Sequence, residues 1–202
     1  PRQARFSMSV QRYDTPSDTF NAASVAFGEY FPLASGVVRG GGASQIGIQG
    51  AVFALFNLDT PSSDLVNADY WIGLPLSYRH GPRSYRLRVF HQSSHLGDEF
   101  LLGNPGINRV NLSYEAVDAA ASHEWDVWRI YLGAGYIFHS EPELEPGFTQ
   151  AGVEYLQPRA AGDLDFVAAV DIRSSQELDW RSSSAWQAGF EHKSSTTRRV
   201  RL

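Results

Sequence analysis

His91 and Ser93, in the segment YRLRVFHQSSHLGDEF at residues 85–100, have the residue types of a hydrolytic site. An imidazole can act as a general base toward a serine hydroxyl, which then attacks an ester carbonyl. Residues two apart on a β-strand point to the same side of the sheet. If the segment is a strand, the two side chains share one face and can act on one substrate.

The residues that precede this pair predict such a strand. Tyr85, Leu87 and Val89 are separated from one another by two arginines. Strict alternation of apolar and polar residues is typical of a strand with one apolar and one polar face. His91 and Ser93 continue the apolar face. The pattern therefore predicts that this face becomes polar toward the end of the strand.

The same alternation recurs along the chain and predicts an all-β protein of about ten strands and the start of another. The clearest further examples are residues 46–56, 70–78, 128–138 and 164–172. In residues 109–116 the same pattern assigns Tyr114 and Ala116 to the apolar face and Glu115 to the polar face. One strand breaks the pattern, because Glu29 falls on the face of Val25 and Phe27. The connecting stretches are rich in Gly, Pro, Ser and Asp, as turns are, and no segment has a helical period.

Alternating strands fit a soluble sandwich or lipocalin-like barrel with the apolar face inside, or a membrane barrel with the apolar face outside. The polar faces favour the membrane barrel, because they carry arginines and glycines rather than the Lys and Glu of a water-exposed surface. Aromatic residues recur near the ends of the apolar faces, as in the girdles of outer-membrane barrels. They are Tyr70, Tyr78, Tyr85, Trp128, Tyr136 and Trp180.

Composition narrows the function classes. The net charge of −5 argues against a general nucleic-acid surface. The absence of cysteine excludes disulfides and thiolate metal sites within this sequence. No apolar run reaches the roughly 18 residues of a membrane-spanning helix. The charges on the polar faces, among them Arg88, Asp171 and Arg173, are expected to pair inside the barrel and fill it.

Loop lengths predict an orientation. The connections near residues 57–68, 95–105 and 139–147 are longer than those between them. Outer-membrane barrels have short periplasmic turns and longer external loops, so His91 and Ser93 are expected near the external rim. Such barrels have an even number of strands, so we predict an antiparallel up-and-down transmembrane barrel of about twelve strands. Residues 1–202 would then form a single domain whose last strands lie beyond this sequence.

Residues 90–118 carry a family resemblance. They include FHQSSHLGDEF and NRVNLSYEAVD, and they resemble a family of bacterial outer-membrane proteins known as domain of unknown function 1207. The other strands are similar in pattern rather than residue by residue. The resemblance implies an outer-membrane barrel and supplies no activity.

A second resemblance concerns the His-x-Ser pair, which is similar to one carried on a barrel strand by outer-membrane phospholipase A and the lipid A deacylases. In the phospholipase the returning strand supplies an asparagine within Trp-Asn-Arg-Leu, and residues 107–110 here read INRV. The resemblance implies Ser93 as nucleophile, His91 as general base and Asn108 as the group that orients the imidazole. If the hairpin pairs symmetrically, Asn108 lies opposite His91, with Cβ atoms about 5 Å apart.

The oxyanion of such a reaction needs a positive partner. In the phospholipase that partner is calcium, and Asp98 and Glu99 in the following loop offer the hard oxygen ligands that calcium prefers. We therefore predict an outer-membrane hydrolase that acts on lipid esters, of outer-membrane lipids or lipopolysaccharide. The alternatives are a non-catalytic anchoring or structural barrel, in which these residues only mark the edge of the apolar band, and a narrow channel.

Overall fold

Eleven antiparallel strands form a single sheet in which each strand pairs with the next along the chain. The structure is a computed structural model that describes residues 4–14, 19–107, 109–157, 164–193 and 199–201. The elements are β1 Ser7–Asp14, β2 Thr19–Val37, β3 Ala43–Asn57, β4 Leu65–His80, β5 Arg83–Leu96, α1 Asp98–Gly103, β6 Leu112–Trp125, β7 Trp128–Glu141, β8 Gly147–Gln157, β9 Leu164–Ser175, β10 Ser182–Lys193 and β11 Arg199–Arg201.

The sheet curls into a half-barrel, which confirms the prediction of an antiparallel up-and-down all-β fold. The predicted ten strands and the start of another correspond to β1–β10 and to the three residues of β11. Besides α1, the described residues form one short 3-10 helix, Gln176–Leu178. No helix in the described part of the chain is long and apolar enough to cross a membrane.

The convex face of the half-barrel is apolar, as the alternation predicted. On β4, the side chains of Tyr70, Ile72 and Leu74 are between 50% and 54% exposed. The residues between them face the concave side, where Trp71 is buried. Large apolar residues are exposed in the same way on β1, β2, β5 and β7. The apolar surface therefore covers the outside of the curl.

The exception that the sequence pointed to also appears in the structure. Glu29 is exposed on the convex face, opposite Gly50 of β3, and its Oε1 accepts a hydrogen bond from the backbone N–H of Tyr30. β2 thus carries one charged residue on its convex face, and the neighbouring positions on that face are apolar.

The concave face is polar and holds ion pairs, as predicted. Arg88 is bound to Asp118, and Arg173 Nε lies 2.8 Å from Asp171 Oδ1. Glycines give aromatic rings room on this face: the ring of Phe148 lies where a Cβ of Gly135 would be. The sheet can therefore curl tightly over bulky side chains because small residues alternate with them.

Pro75 is fully buried on the concave side of β4, and a proline within a strand predicts a bulge or a weak edge there. The pairing of β3 with β4 has a gap there, between Ile46↔Leu76 and Gln49↔Gly73, without a change of register. Proline has no N–H to donate to the ladder, which accounts for the gap. Pairing with β5 continues through Pro75, which lies opposite Arg88.

The two ends of the sheet differ in their connections, as the loop lengths predicted. The rim that we call the long-loop rim carries the connections β3–β4, β5–β6, β7–β8 and β9–β10. The opposite rim, the short-turn rim, carries β2–β3, of five residues, and β4–β5 and β6–β7, each of two residues. β5 ends at the long-loop rim, so the segment with His91 and Ser93 lies close to it.

Candidate functional site

His91 and Ser93 lie on the convex face of β5, on the same side as Leu87 and Val89. The intervening residues Phe90 and Gln92 point to the concave side and are buried. The side chain of His91 is 41% exposed. The imidazole and the hydroxyl therefore project from the same apolar face, two residues apart and near the long-loop rim.

Glu115 lies directly opposite His91 on β6. Nδ1 of His91 is 2.7 Å from Oε1 of Glu115, and Nδ1 of His139 is 2.7 Å from Oε2. An ionised carboxylate only accepts hydrogen bonds, so each Nδ1 carries the proton. Glu115 thus holds both rings, and Nε2 of His91 is the basic nitrogen that can take a proton from a hydroxyl.

The predicted register of this hairpin is wrong. We expected Asn108 opposite His91, whereas β6 begins at Leu112 and the opposed residue is Glu115. The hairpin is not symmetric, because α1 occupies one side of its connection. Asn108 itself lies outside the described residues, so its predicted role as the orienting group stays a prediction.

The predicted facing of β6 is also wrong, and the reason is local packing. Tyr114 and Ala116 were assigned to the apolar convex face, but they face the concave side. There Ala116 is fully buried against Phe90 and Trp71, and Tyr114 packs on the same cluster. This end of the concave side has its own apolar cluster, so apolar residues of β6 belong inside and Glu115 is turned outward.

A β-bulge brings the second histidine to the site. The pairing of β6 with β7 shifts between Glu115 and Ala116, so Glu115 pairs with His139 while Ala116 pairs with Ile137. On β7 the even-numbered positions, such as Tyr136, face the convex side. The extra residue at the bulge turns His139 to that side as well, which the regular alternation does not predict.

Ser93 has hydroxyl groups on both sides. It lies opposite Tyr70 on β4 and opposite Ser113 on β6. The Tyr70 ring is half exposed and meets the His95 ring edge-on, with centroids 5.7 Å apart. The register therefore pairs Ser93 with a hydroxyl-bearing residue on each neighbouring strand.

The two acidic residues predicted to bind calcium begin α1. Nη2 of Arg109 donates a 2.9 Å hydrogen bond to Oδ1 of Asp98, and both side chains are largely exposed. In the part of the chain that the structure describes, no group of three or more histidine or acidic side chains is placed to share a metal ion. The calcium role of Asp98 and Glu99 therefore stays a prediction.

The loop between β3 and β4 is anchored near the same rim. Asp59 accepts hydrogen bonds from the backbone N–H of Asn21, at 2.8 Å, and from its side-chain amide, at 2.9 Å. These bonds favour the ionised carboxyl and lower the pKa of Asp59 below its ordinary value. The loop is thus tied to the start of β2.

Two residues of the site, Glu115 and His139, were not predicted from the sequence. Glu115 was visible as a charge on β6, but it was assigned to the concave face with the paired arginines. The neighbouring residues did not show which face Glu115 lies on, because near it each face of β6 carries both apolar and polar residues. For His139 the only guide would have been the position of the bulge.

The fold and its two faces define a class: an up-and-down antiparallel half-barrel with an apolar convex face and a polar concave face. The chain belongs to the family described as "Protein of unknown function (DUF1207)", whose model matches residues 1–202. Neither the curated proteins nor the solved structures gave a match.

Proposed function

We propose that this chain forms a transmembrane β-barrel in the outer membrane of a bacterium. The apolar convex face and the ion pairs of the concave face support this proposal, because lipid surrounds the outside of such a barrel. Tyr70 and Tyr78 lie on one face of β4, eight residues apart. That separation is about 27 Å along a strand and about 20 Å in height at a tilt of about 40°, comparable with the apolar band of these barrels.

On this barrel we place a hydrolase of lipid esters. The observation that carries the proposal is the 2.7 Å contact between His91 Nδ1 and Glu115 Oε1, beside Ser93 on the same face. A hydroxyl, an imidazole and a carboxylate in this order form the arrangement by which a serine becomes a nucleophile. Lipids are the molecules that reach the outside of a barrel, so a lipid ester is the substrate class that this position favours.

The reaction proceeds in two stages. Nε2 of His91 takes the proton of Ser93 as its Oγ attacks the ester carbonyl carbon, and the imidazolium is stabilised by Glu115. The tetrahedral intermediate expels the alcohol of the lipid, which receives the proton from His91, and an acyl-serine remains. Water then gives a proton to His91 and attacks the acyl group. His91 returns that proton to Oγ of Ser93 as the bond to the acyl group breaks, which releases a fatty acid and restores Ser93.

The oxyanion needs donors during both stages. The hydroxyls of Tyr70 and Ser113, on either side of Ser93, are candidates that the geometry offers. A calcium ion held by Asp98 and Glu99 is the other candidate, and Asn108 remains a second candidate for orienting His91. A variant of each of these residues tests its proposed role.

The experiment measures fatty acid release by mass spectrometry from vesicles of phospholipid and lipopolysaccharide that contain the refolded protein. Wild type is expected to release fatty acid, and Ser93→Ala is expected to release none above the vesicle background. Ser94→Ala is the matched control, since Ser94 is the adjacent serine and points to the concave side, toward Asp69. Wild type without activity, with and without added calcium, or Ser93→Ala with full activity would end the proposal.

A further inference from the structure

The concave side of the half-barrel forms an open cavity of about 900 Å³ with two chemically different parts. Toward the long-loop rim its lining includes the apolar residues Trp71, Phe90, Ile137 and Phe148, with Glu145 and Glu177 at the edge. Toward the short-turn rim its lining is basic and includes Arg86, Arg88 and Arg129, whereas Arg173 lines the cavity near the long-loop end of β9. A ligand that matched both parts would carry an anionic group and an apolar body.

Three of these arginines are neutralised by their own carboxylates. Arg88 donates to Oδ2 of Asp118 through Nε, at 2.9 Å, and through Nη2. Arg129 is paired with Glu154 at 2.9 Å. Arg173 is paired with Asp171 in the same way. Each carboxylate balances one of these guanidinium groups.

Arg79 also lines the cavity and is paired with Glu124. Arg86 is the remaining arginine, and it shares its carboxylate with another arginine. Its Nη2 lies 3.2 Å from Oδ1 of Asp118, the carboxylate that Arg88 already uses. Its Nε is buried and has no hydrogen-bond partner among the described residues. Two guanidinium groups on one carboxylate leave a surplus positive charge, and a buried donor without an acceptor is unfavourable.

The surroundings of Arg86 leave room for a ligand. Its neighbours across the sheet are Ser77 on β4 and Ala120 on β6, and Gly133 follows on β7. All three are small, and all three line the cavity. Arg88, by contrast, packs against the rings of Trp71 and Phe90, with its guanidinium carbon 4.8 and 5.0 Å from their centroids.

From these observations we infer that the cavity binds a small organic anion, a carboxylate on an apolar body, with the carboxylate on Arg86. A carboxylate accepts hydrogen bonds from a guanidinium and would balance the charge of Arg86, which shares Asp118 with Arg88. Arg86 and Phe90 lie on one face of β5, about 13 Å apart along the strand, so an apolar body attached to the carboxylate can extend from Arg86 toward the apolar part of the cavity. The inference does not depend on the hydrolytic site, which lies on the opposite face of the sheet.

The test is titration calorimetry of the full chain refolded in maltoside micelles, with protein-free micelles subtracted. The ligands are 2-naphthoate, its uncharged counterpart 2-naphthol, and inorganic phosphate. We expect 2-naphthoate to bind about tenfold or more tightly than either of the others, since a charge-assisted hydrogen bond adds at least that factor. Arg86→Gln should reduce 2-naphthoate binding to the level of 2-naphthol. Arg109→Gln, which removes the same charge from an exposed loop, should leave it unchanged.

Three results would overturn the inference: equal binding of 2-naphthoate and 2-naphthol, phosphate binding as tight as that of 2-naphthoate, or full binding by folded Arg86→Gln. If Arg86→Gln does not fold, Ser77→Glu provides the second variant. It places a carboxylate opposite Arg86 and is expected to abolish 2-naphthoate binding by occupying the guanidinium. Retained binding in that variant would contradict the assignment of Arg86.

Discussion

Nδ1 of His91 lies 2.7 Å from Oε1 of Glu115, across the β5–β6 pair on the convex face. The contact fixes the orientation of the imidazole and leaves Nε2 as its basic nitrogen. Ser93 follows two residues later on the same face. This relationship makes the polar end of β5 a candidate catalytic site and gives the carboxylate, rather than the expected asparagine, the orienting position.

Substitution of Glu115 tests that orienting role. Glu115→Gln keeps the size of the side chain but offers an amide to the two imidazoles, so His91 loses its fixed tautomer. We expect kcat for ester hydrolysis to fall by about 10² to 10⁴, the range that general acid–base catalysis contributes. The matched control is Glu124→Gln, on the same strand at the short-turn rim, where Glu124 is paired with Arg79.

The alternative orienting group is tested by Asn108→Ala in the same assay. Because Glu115 already holds Nδ1 of His91, this variant is expected to keep activity close to that of wild type. A large loss in Asn108→Ala together with full activity in Glu115→Gln would return the role to Asn108.

Substitution of His139 and of His91 distinguishes a histidine that positions Glu115 from one that acts as the general base. His139 holds the second oxygen of Glu115 and is not expected to receive the proton of Ser93. We expect His139→Ala to lower kcat by less than about tenfold, whereas His91→Ala removes the general base and with it a factor of about 10² or more. The kcat values of both variants, with KM determined in parallel, decide the point; equal losses would show that the two rings act as one unit.

The calcium dependence of hydrolysis tests whether Asp98 and Glu99 bind calcium. If Asp98 and Glu99 bind calcium for the oxyanion, a chelator abolishes hydrolysis, and the Asp98→Asn, Glu99→Gln double variant needs more calcium for half-maximal activity. Arg109→Ala, which frees Asp98 from its ion pair, should need less. Activity that persists in chelator would transfer the oxyanion role to the hydroxyls, and Tyr70→Phe should then lower kcat.

The concave ion pair of Arg88 and Asp118 predicts a large effect on stability. The two side chains are only 10% and 9% exposed, so removal of the carboxylate leaves a buried guanidinium without its counter-charge. Asp118→Ala is expected to lower the free energy of unfolding by about 3–5 kcal/mol, as for other buried pairs. Urea unfolding in micelles, followed by tryptophan fluorescence, measures it.

The control for that experiment is Glu124→Ala, which breaks the exposed pair with Arg79 and should lower stability by no more than about 1 kcal/mol. Similar losses in the two variants would mean that Asp118 does not compensate a buried charge.

The anchor of the β3–β4 loop predicts a pH dependence. The pKa of Asp59 is lowered by its hydrogen bonds to Asn21, so the folded state favours the ionised carboxyl. The stabilisation is therefore complete above the ordinary carboxyl pKa and is lost as the pH falls through the lowered value. The NMR signals of the Asn21 side-chain amide should shift over that acidic range in wild type and show no such transition in Asp59→Ala.

The sequence was sufficient for the parts of the fold that depend on regular alternation. On β4 and β7 every second residue is apolar over most of the strand, and Ile72 and Leu132 are exposed on the convex face as expected. The facing of β5 followed in the same way and put His91 and Ser93 on that face. Alternation fixes the two faces of a strand because its period is two.

What could not be predicted depends on non-local packing. The facing of β6 is set by the burial of Ala116 against Phe90 on the neighbouring strand, and nothing within β6 distinguishes that face. The contact of His139 with Glu115 requires a one-residue bulge whose position is set by the pairing of two strands. Both features combine residues that lie 24 or more positions apart in the chain.

The most direct test of an activated serine on β5 is covalent labelling of Ser93 by an alkyl fluorophosphonate, which reacts with such a hydroxyl. Wild type in micelles is expected to gain one adduct, located on Ser93 by peptide mass spectrometry. His91→Ala and Ser93→Ala should gain none, while Ser94→Ala should label like wild type. Absence of label in the folded wild type, or equal labelling of wild type and His91→Ala, would contradict an activated serine at this site.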